Sequence, residues 1–242
     1  MSAPAAVILA AGVGSRLRPL TDDRPKALVS VGGRSILRRA LDALVERGVS
    51  LLVVATGYRE DALKTALSDA PLDVTFVRNP EYERTQNSVS LALCRNALEG
   101  RSFYRLDGDV LFAPEILARL DAVPAPLVAA IDRGRLLDAE AMKAQLDASG
   151  TRVVEFGKHL ELARSGGESI GVERISAEAS TLLFDGLDRA RRAGEVHLYY
   201  EDVYSRLIVA GLHVGAADVS GIPWCEVDSP EDLEQAARLF AR

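Results

Sequence analysis

The chain holds 242 residues, 48% of them hydrophobic, with 29 Lys+Arg against 35 Asp+Glu for a formal net charge of −6. That length and apolar content suffice to bury a core, which excludes a disordered tail, and the acidic balance excludes the basic footprint of a nucleic-acid or anionic-membrane binder. Any polyanionic ligand must then be held by a few placed cations, and only Lys26, Lys64, Lys143 and Lys158 are lysines.

The first element is the apolar run Ala5 to Ala11, which reads as a strand buried on both faces of a parallel sheet. A polar loop follows to about Gly33. Ile36, Leu37, Ala40, Leu41, Leu44 and Val45 then recur at helical spacing, and Gly48 closes that helix. Leu51 to Thr56 is a second buried strand, succeeded by a helix over about Arg59 to Ser68, a strand at Val74 to Val77, a helix over Ser88 to Leu98 and a fourth strand at Phe103 to Asp107. Strands alternating with helices build βαβ units, and right-handed crossovers turn such a series into a doubly wound Rossmann-like α/β sheet. Ligands in that architecture sit beyond the carboxyl ends of the strands, which singles out the loops after Ala11 and Leu106.

The pattern changes after about Pro124. Leu127 to Ile131 reads as another strand, and Ala141 to Leu146 and Arg152 to Phe156 flank a turn at Asp147 to Gly150, predicting a hairpin. Ser176 caps a helix running to about Arg192, with Gly194 ending it; Tyr200 to Ala210 reads as another helix. Ser229, Pro230, Glu231 and Asp232 supply a cap, an N1 proline and first-turn acids for a last helix over Pro230 to Ala241. The economical reading is a single domain over 1–242 with a mixed sheet and a small β-rich insertion, the pattern dividing it into halves of about 1–124 and about 125–242. Cys94 and Cys225 are too few for a disulfide framework, and no apolar run nears the ~20 residues that span a bilayer, so a soluble, cytoplasmic protein is expected.

The densest chemistry lies in the loop after the first strand, Leu9-Ala-Ala-Gly-Val-Gly-Ser-Arg-Leu-Arg-Pro-Leu-Thr-Asp-Asp-Arg-Pro-Lys-Ala-Leu28. Gly12 and Gly14 let backbone N–H groups approach a phosphate chain, and Arg16 and Lys26 can neutralise it. The run is neither a P-loop nor a dinucleotide fingerprint, since the position that needs a third glycine holds Leu17. At the end of the fourth strand, Asp107-Gly-Asp109 places two carboxylates where a hard cation such as Mg²⁺ can share its shell with substrate phosphates.

The pattern Leu9-Ala-Ala-Gly-x-Gly-x-Arg-Leu-x6-Arg-Pro-Lys-Ala-Leu28 resembles the N-terminal signature of the nucleotidyltransferases that join a nucleoside monophosphate to a sugar phosphate or small phosphorylated alcohol. Within that superfamily the chain is most similar to the bacterial phosphocholine and 2-aminoethylphosphonate cytidylyltransferases, through Asn87-Ser-Val-Ser-Leu91, Gly167-Glu-Ser-Ile-Gly171 and Val196-His-Leu-Tyr-Tyr-Glu-Asp202. The resemblance spans about Ala5 to Phe240 and implies a nucleotide-binding half over about 1–124 and an acceptor-binding, metal-completing half over about 125–242, with the β-rich insertion binding the acceptor. It implies that Asp109 and Asp228 hold Mg²⁺, that Asp107 supports the site, and that Lys158 contacts phosphate, although Gly157 and His159 depart from the family's Glu-Lys-Pro. It also implies CTP as the nucleotide, with base and ribose placed by Leu9, Ala10, Ala11 and Gly12 and by Gln86, Asn87 and Ser88, and it makes a homodimer an expectation.

The implied reaction is an in-line attack of an anionic phosphate or phosphonate oxygen on the α-phosphorus of CTP, releasing pyrophosphate. That oxygen is already ionised, so positioning and charge neutralisation suffice and Arg16, Lys26 and Lys158 carry the catalysis. For the acceptor, Tyr199, Tyr200, Glu201, Asp202 and Trp224 combine rings and carboxylates that suit an ammonium-bearing headgroup. Tyr200 and Tyr204 at helical spacing read equally well as core. Lys143 reads either as a second phosphate contact or, preferably, as the polar face of the hairpin, and Lys64 as surface. The enzymatic alternative is a sugar-1-phosphate nucleotidylyltransferase using UTP or another nucleotide, and a non-catalytic binding subunit stands further off because Arg16, Lys26, Asp109 and Asp228 are all present.

Overall fold

The computed structural model describes residues 4–240. Strand β1 (Ala5–Ala10) is followed by tight 3-10 turns at Ser15–Leu17 and Lys26–Leu28, the two-residue pair β2 (Ser30–Val31) and β3 (Arg34–Ser35), and helix α1 (Ile36–Glu46), whose N-cap Ser35 accepts from the Arg38 amide. Then come β4 (Leu51–Thr56), α2 (Glu60–Ala66), β5 (Asp73–Arg78), α3 (Asn87–Leu93), α4 (Arg95–Leu98) and β6 (Phe103–Asp107). The single helix expected over Ser88 to Leu98 is broken at Cys94, where the Cys94 amide bonds back only three residues to Leu91 and tightens the turn.

The second half begins with β7 (Val110–Phe112), α5 (Glu115–Asp121) and β8 (Leu127–Asp132), followed by the hairpin β9 (Lys143–Leu146) and β10 (Arg152–Gly157). These two strands pair antiparallel, as the turn composition predicts. It closes with β11 (Gly167–Ile175), α6 (Ala177–Arg192, capped by Ser176), α7 (Tyr200–Val209), β12 (Val214–Asp218), β13 (Trp224–Glu226) and α8 (Pro230–Leu239, capped by Ser229). The expected end of α8 at Ala241 lies outside the described residues.

Nine strands form one mixed sheet in the order β5-β4-β1-β6-β11-β8-β12-β10-β9. β5, β4, β1 and β6 run parallel. The alternation along β1 shows how the sheet becomes the middle layer: Ala6, Ile8 and Ala10 join a core with α1, α2 and α5, while Ala5 and Val7 join a second core with α3, α6 and α7. Each face needs its own cover because both are apolar.

β11 is the strand that the apolar pattern did not announce. Glu168, Glu173 and Arg174 interrupt it, yet it is the longest strand and the hinge of the sheet. Its C-terminal half pairs with β6, and its N-terminal residues pair with β9. Strands β11, β8, β12, β10 and β9 therefore close into a ring that shares β11 and β8 with the main sheet. The bend falls at Gly171, whose φ of +75° suits glycine and where an added Cβ would stand 2.4 Å from the Asp107 Oδ2. The β-rich part expected after Pro124 is thus continuous with the sheet, and the groove between ring and parallel strands is the cleft described next.

Candidate active site

β1 and β6 are adjacent and parallel, so their carboxyl ends meet: Leu9 pairs with Asp107, and the Gly108 amide donates to the Leu9 carbonyl at 3.0 Å. Gly108 lies so close that a Cβ there would sit 2.6 Å from that carbonyl, which explains the glycine between the two aspartates. Next, β7 pairs antiparallel with β13, Val110 opposite Glu226, and the Val227 amide donates to the Asp109 carbonyl at 3.0 Å. This small two-stranded unit brings Asp228 to Asp109 across more than a hundred residues. The third strand of chain is the loop after β1: Gly14, with φ +67°, packs within 2.9 Å of the Lys26 Cβ, measured from where its own Cβ would be. That close approach turns Lys26 into the site.

At the centre the Lys26 ammonium lies 2.7 Å from an Asp109 oxygen and pairs with Asp228, while the Arg16 guanidinium reaches the other oxygen of Asp228 at 2.5 Å. Burial works against the charge of Lys26, but Asp109 and Asp228 outweigh it and its pKa is raised. Asp228 likewise is held below the usual carboxylate range against its burial, by Lys26 first and then Arg16. Glu226 completes the group. Burial together with Asp109 and Asp228 pushes its carboxyl up to about 8. One oxygen from each of Asp109, Glu226 and Asp228 can be chosen so that all three lie within 4.8 Å of one another. Three carboxyl groups that close, crowded enough that burial and the two aspartates raise Glu226, fit a divalent cation such as Mg²⁺, whose charge would offset their mutual repulsion. Glu226 escaped the sequence reading, though it was legible: it stands two residues before Asp228, on the same face of extended chain.

The cleft encloses about 480 Å³ and is lined by most of the residues singled out from the sequence. Leu9, Ala10, Ala11, Gly12, Gly14, Arg16, Lys26, Gln86, Asn87, Asp107, Asp109, Lys158, Tyr199, Glu201 and Asp228 all face it. Tyr82, Thr85 and Glu140 also do, outside every motif, as do Ser90, Glu168 and Ser169, which lie within the motifs Asn87–Leu91 and Gly167–Gly171 but had no individual role. Lys158 is offered from the turn after β10, its ammonium 3.3 Å from Glu140 and 5.5 Å from the centre of the Tyr199 ring.

Four of the selected residues stand elsewhere. Ser88 is buried, its hydroxyl donating to the Leu198 carbonyl at 2.6 Å. Asp202 is spent as a helix cap, accepting from the Tyr199 amide at 2.8 Å. Trp224 is buried between β7 and the loop after β8, with its indole N–H donating to Asp132 at 2.7 Å and the Arg135 guanidinium 4.1 Å from its ring. Tyr200 is fully buried and does not line the cleft; its hydroxyl donates to the Asp107 Oδ2 at 2.8 Å from beneath.

Beneath the cleft floor lies a second polar cluster. Arg105, fully buried on β6, sits 2.8 Å from Asp107, pairs with Glu173 of β11 and lies 3.7 Å from the centre of the Tyr200 ring. Glu201, nearly sealed at the start of α7, is its neighbour through Tyr200. Burial pushes Glu173 up to about 7 and Glu201 up to about 8, and raises Asp107, in each case against the pull of Arg105. One guanidinium shared among three carboxylates cannot keep all of them ionised out of water. Asp107 is thereby held at both oxygens.

Comparison with known proteins agrees with this architecture. The family model for the MobA-like NTP transferase domain matches residues 6–166. The chain is 34% identical over 246 residues to the CMP-5'-(3-aminopropyl)phosphonate synthase of Streptomyces rubellomurinus, covering 98% of this chain and 38% of that protein. It is also 34% identical over 236 residues to a bifunctional IPC transferase and DIPP synthase of Rubrobacter xylanophilus, covering 97% of this chain and 51% of that one. The chain thus spans about half or less of these relatives' length. Among solved structures, the inositol-1-phosphate CTP transferase from T. maritima superposes with a TM-score of 0.81 at 23% identity, over 99% of this chain and 97% of that one, which shows the shared fold. With the family match running from the first strand through the β9–β10 hairpin, the chain belongs to the MobA-like NTP transferase domain family.

Proposed function

We propose that the chain is a Mg²⁺-dependent cytidylyltransferase that transfers CMP from CTP to a small phosphorylated or phosphonate headgroup of the 2-aminoethylphosphonate or phosphocholine type. The observation that carries this reading is Lys26, gripped between Asp109 and Asp228 at the mouth of the glycine loop. A cation and three carboxylates at the meeting point of two parallel strands form a site for phosphate chains with a divalent ion. The names of the relatives add CMP and CTP to that geometry.

Asp109, Glu226 and Asp228 would hold the Mg²⁺, which when bound supplies positive charge to phosphates that otherwise repel one another. Arg16 and the loop amides from Ala11 to Gly14 orient the triphosphate. Lys26 exchanges its carboxylate partners for phosphate oxygens, and Lys158 brings up the anionic acceptor. The acceptor oxygen forms a new bond to the α-phosphorus while the bond from that phosphorus to the β-bridging oxygen breaks, and pyrophosphate leaves with the electron pair. No proton has to be removed from the attacking oxygen, so no side chain is needed as a base. Gln86 and Asn87 lie where base and ribose are expected. Tyr199 and Glu168 offer a ring face and a carboxylate to an ammonium group, with Glu201 behind them.

The test is pyrophosphate release measured over a grid of four nucleoside triphosphates against phosphocholine, 2-aminoethylphosphonate, 3-aminopropylphosphonate, inositol 1-phosphate and glucose 1-phosphate. Turnover with CTP and an ammonium-bearing acceptor is expected. Activity confined to UTP and a sugar phosphate would refute the reading.

A further inference from the structure

Lys143 is neither a phosphate contact nor a polar hairpin face. It is 2% exposed, among the largest fully buried side chains, and its ammonium donates to three backbone carbonyls: Lys158 at 2.8 Å, Ala139 at 3.3 Å and Ala141 at 3.3 Å. No carboxylate lies within ion-pair distance among the described residues. Glu168, opposite Lys143 on β11, feels its charge but makes no ion pair with it, and burying an ammonium with no carboxylate in contact is costly, where a leucine or methionine would fill the same space without that cost. What the ammonium provides is three directed donors, all consumed by two segments that run on from β9 and β10 just beyond their last paired residues, Lys143 opposite Gly157, where no further ladder bond holds them. One is the end of the loop after β8, which carries Glu140 and Met142 to the cleft. The other is the turn after β10, which carries Lys158.

We infer that Lys143 is a positioning residue for the acceptor side of the cleft: it ties the backbone of Lys158 to the 139–141 segment, so that the Lys158 ammonium is presented beside Glu140 and Tyr199. Lys158 stands on a turn whose side chain is over a third exposed, and a free turn there would let its ammonium wander by several ångströms. The tie removes that freedom before the acceptor arrives. In this arrangement Lys143 acts only through Lys158 and never touches substrate. The inference rests on the reading of Lys158 as the acceptor's phosphate contact.

Two measurements test it. In amide hydrogen exchange without ligand, Lys143→Met is expected to speed exchange in 139–142 and 157–160 by about tenfold while β1 and β6 stay as in the wild type. Unchanged exchange in both segments would overturn the tie. In steady-state kinetics with CTP and an acceptor turned over in the grid above, Lys143→Met is expected to raise the acceptor KM by about tenfold and leave the CTP KM within about twofold. Lys158→Ala should do the same, and the double variant should be no worse than Lys158→Ala alone. Effects that multiply would show that Lys143 serves some other end and overturn the inference. Lys143→Gln, which keeps two donors, should fall between wild type and Lys143→Met and serves if the methionine variant does not fold. An inactive wild type would remove the proposed function but not the exchange result, which judges the tie by itself.

Discussion

The molecule contains two clusters of three carboxylates around a basic side chain, one on each side of the cleft floor, the outer one joined also by Arg16. Asp109, Glu226 and Asp228 gather around Lys26 where water and ligand can reach; Asp107, Glu173 and Glu201 gather around Arg105, which is sealed. In the first, the basic group is a lysine on a flexible stem, a point charge that can leave its partners for a phosphate. In the second it is a planar guanidinium stacked on Tyr200, and nothing outside the protein can replace it. On the proposed function the first cluster is an exchangeable site and the second is a support. The contrast also shows why charge alone does not locate function: both clusters carry strongly perturbed groups, and only accessibility separates them.

Substitutions separate the two clusters. The largest effect is expected from Arg105→Met, which leaves Asp107, Glu173 and Glu201 buried without their shared cation. Stability should fall by about 3–5 kcal/mol, the usual cost of removing one partner from a buried pair, read as a lower midpoint in chemical denaturation. A variant as stable as the wild type would mean that the buried cluster is already neutral. Tyr200→Phe is expected to cost less, about 1.5–3 kcal/mol, because it removes one hydrogen bond to a carboxylate and leaves the ring packed. Its turnover should fall only through looser placement of Asp107.

The smallest effect is a slope with pH. Glu173 and Glu201 have folded pKa values of about 7 and about 8, above their ordinary range, so between pH 5 and 8 the folded chain holds protons that the unfolded chain has released. Their contribution to stability is therefore fully present below pH ~4.5 and is lost as pH rises through 7 to 8. Thermal midpoints should decline over that window, and Glu173→Gln should flatten the decline. An equal slope in the variant would assign it to other groups.

Much of the site was legible in the chain. The loop from Leu9 to Leu28, Asp107-Gly-Asp109 and Asp228 each end an apolar strand or precede a helix cap, and local pattern marks such places. What pattern does not carry is pairing at a distance. The segment of Glu226 and Asp228 meets Asp109 only because β13 pairs with β7, and β11 is hidden because its buried Glu173 is matched by Arg105 nearly seventy residues earlier. Tyr200 and Trp224 have the side chains for cation recognition, but each is turned into the core, with its polar tip on Asp107 or Asp132. Tyr199 and Glu201 line the cleft and their neighbours Tyr200 and Asp202 do not, because a helix begins at Tyr200 and separates faces by about 100° per residue.

The most direct test of the division between the two clusters sets Asp109→Ala beside Glu173→Gln, with Mg²⁺-dependent pyrophosphate release and thermal midpoint read on both. The account predicts that Asp109→Ala keeps its midpoint within a few degrees and loses at least about a hundredfold in turnover, while Glu173→Gln moves its midpoint and keeps turnover within about tenfold. Retained Mg²⁺-dependent activity in Asp109→Ala, or loss of activity in a well-folded Glu173→Gln, would contradict it.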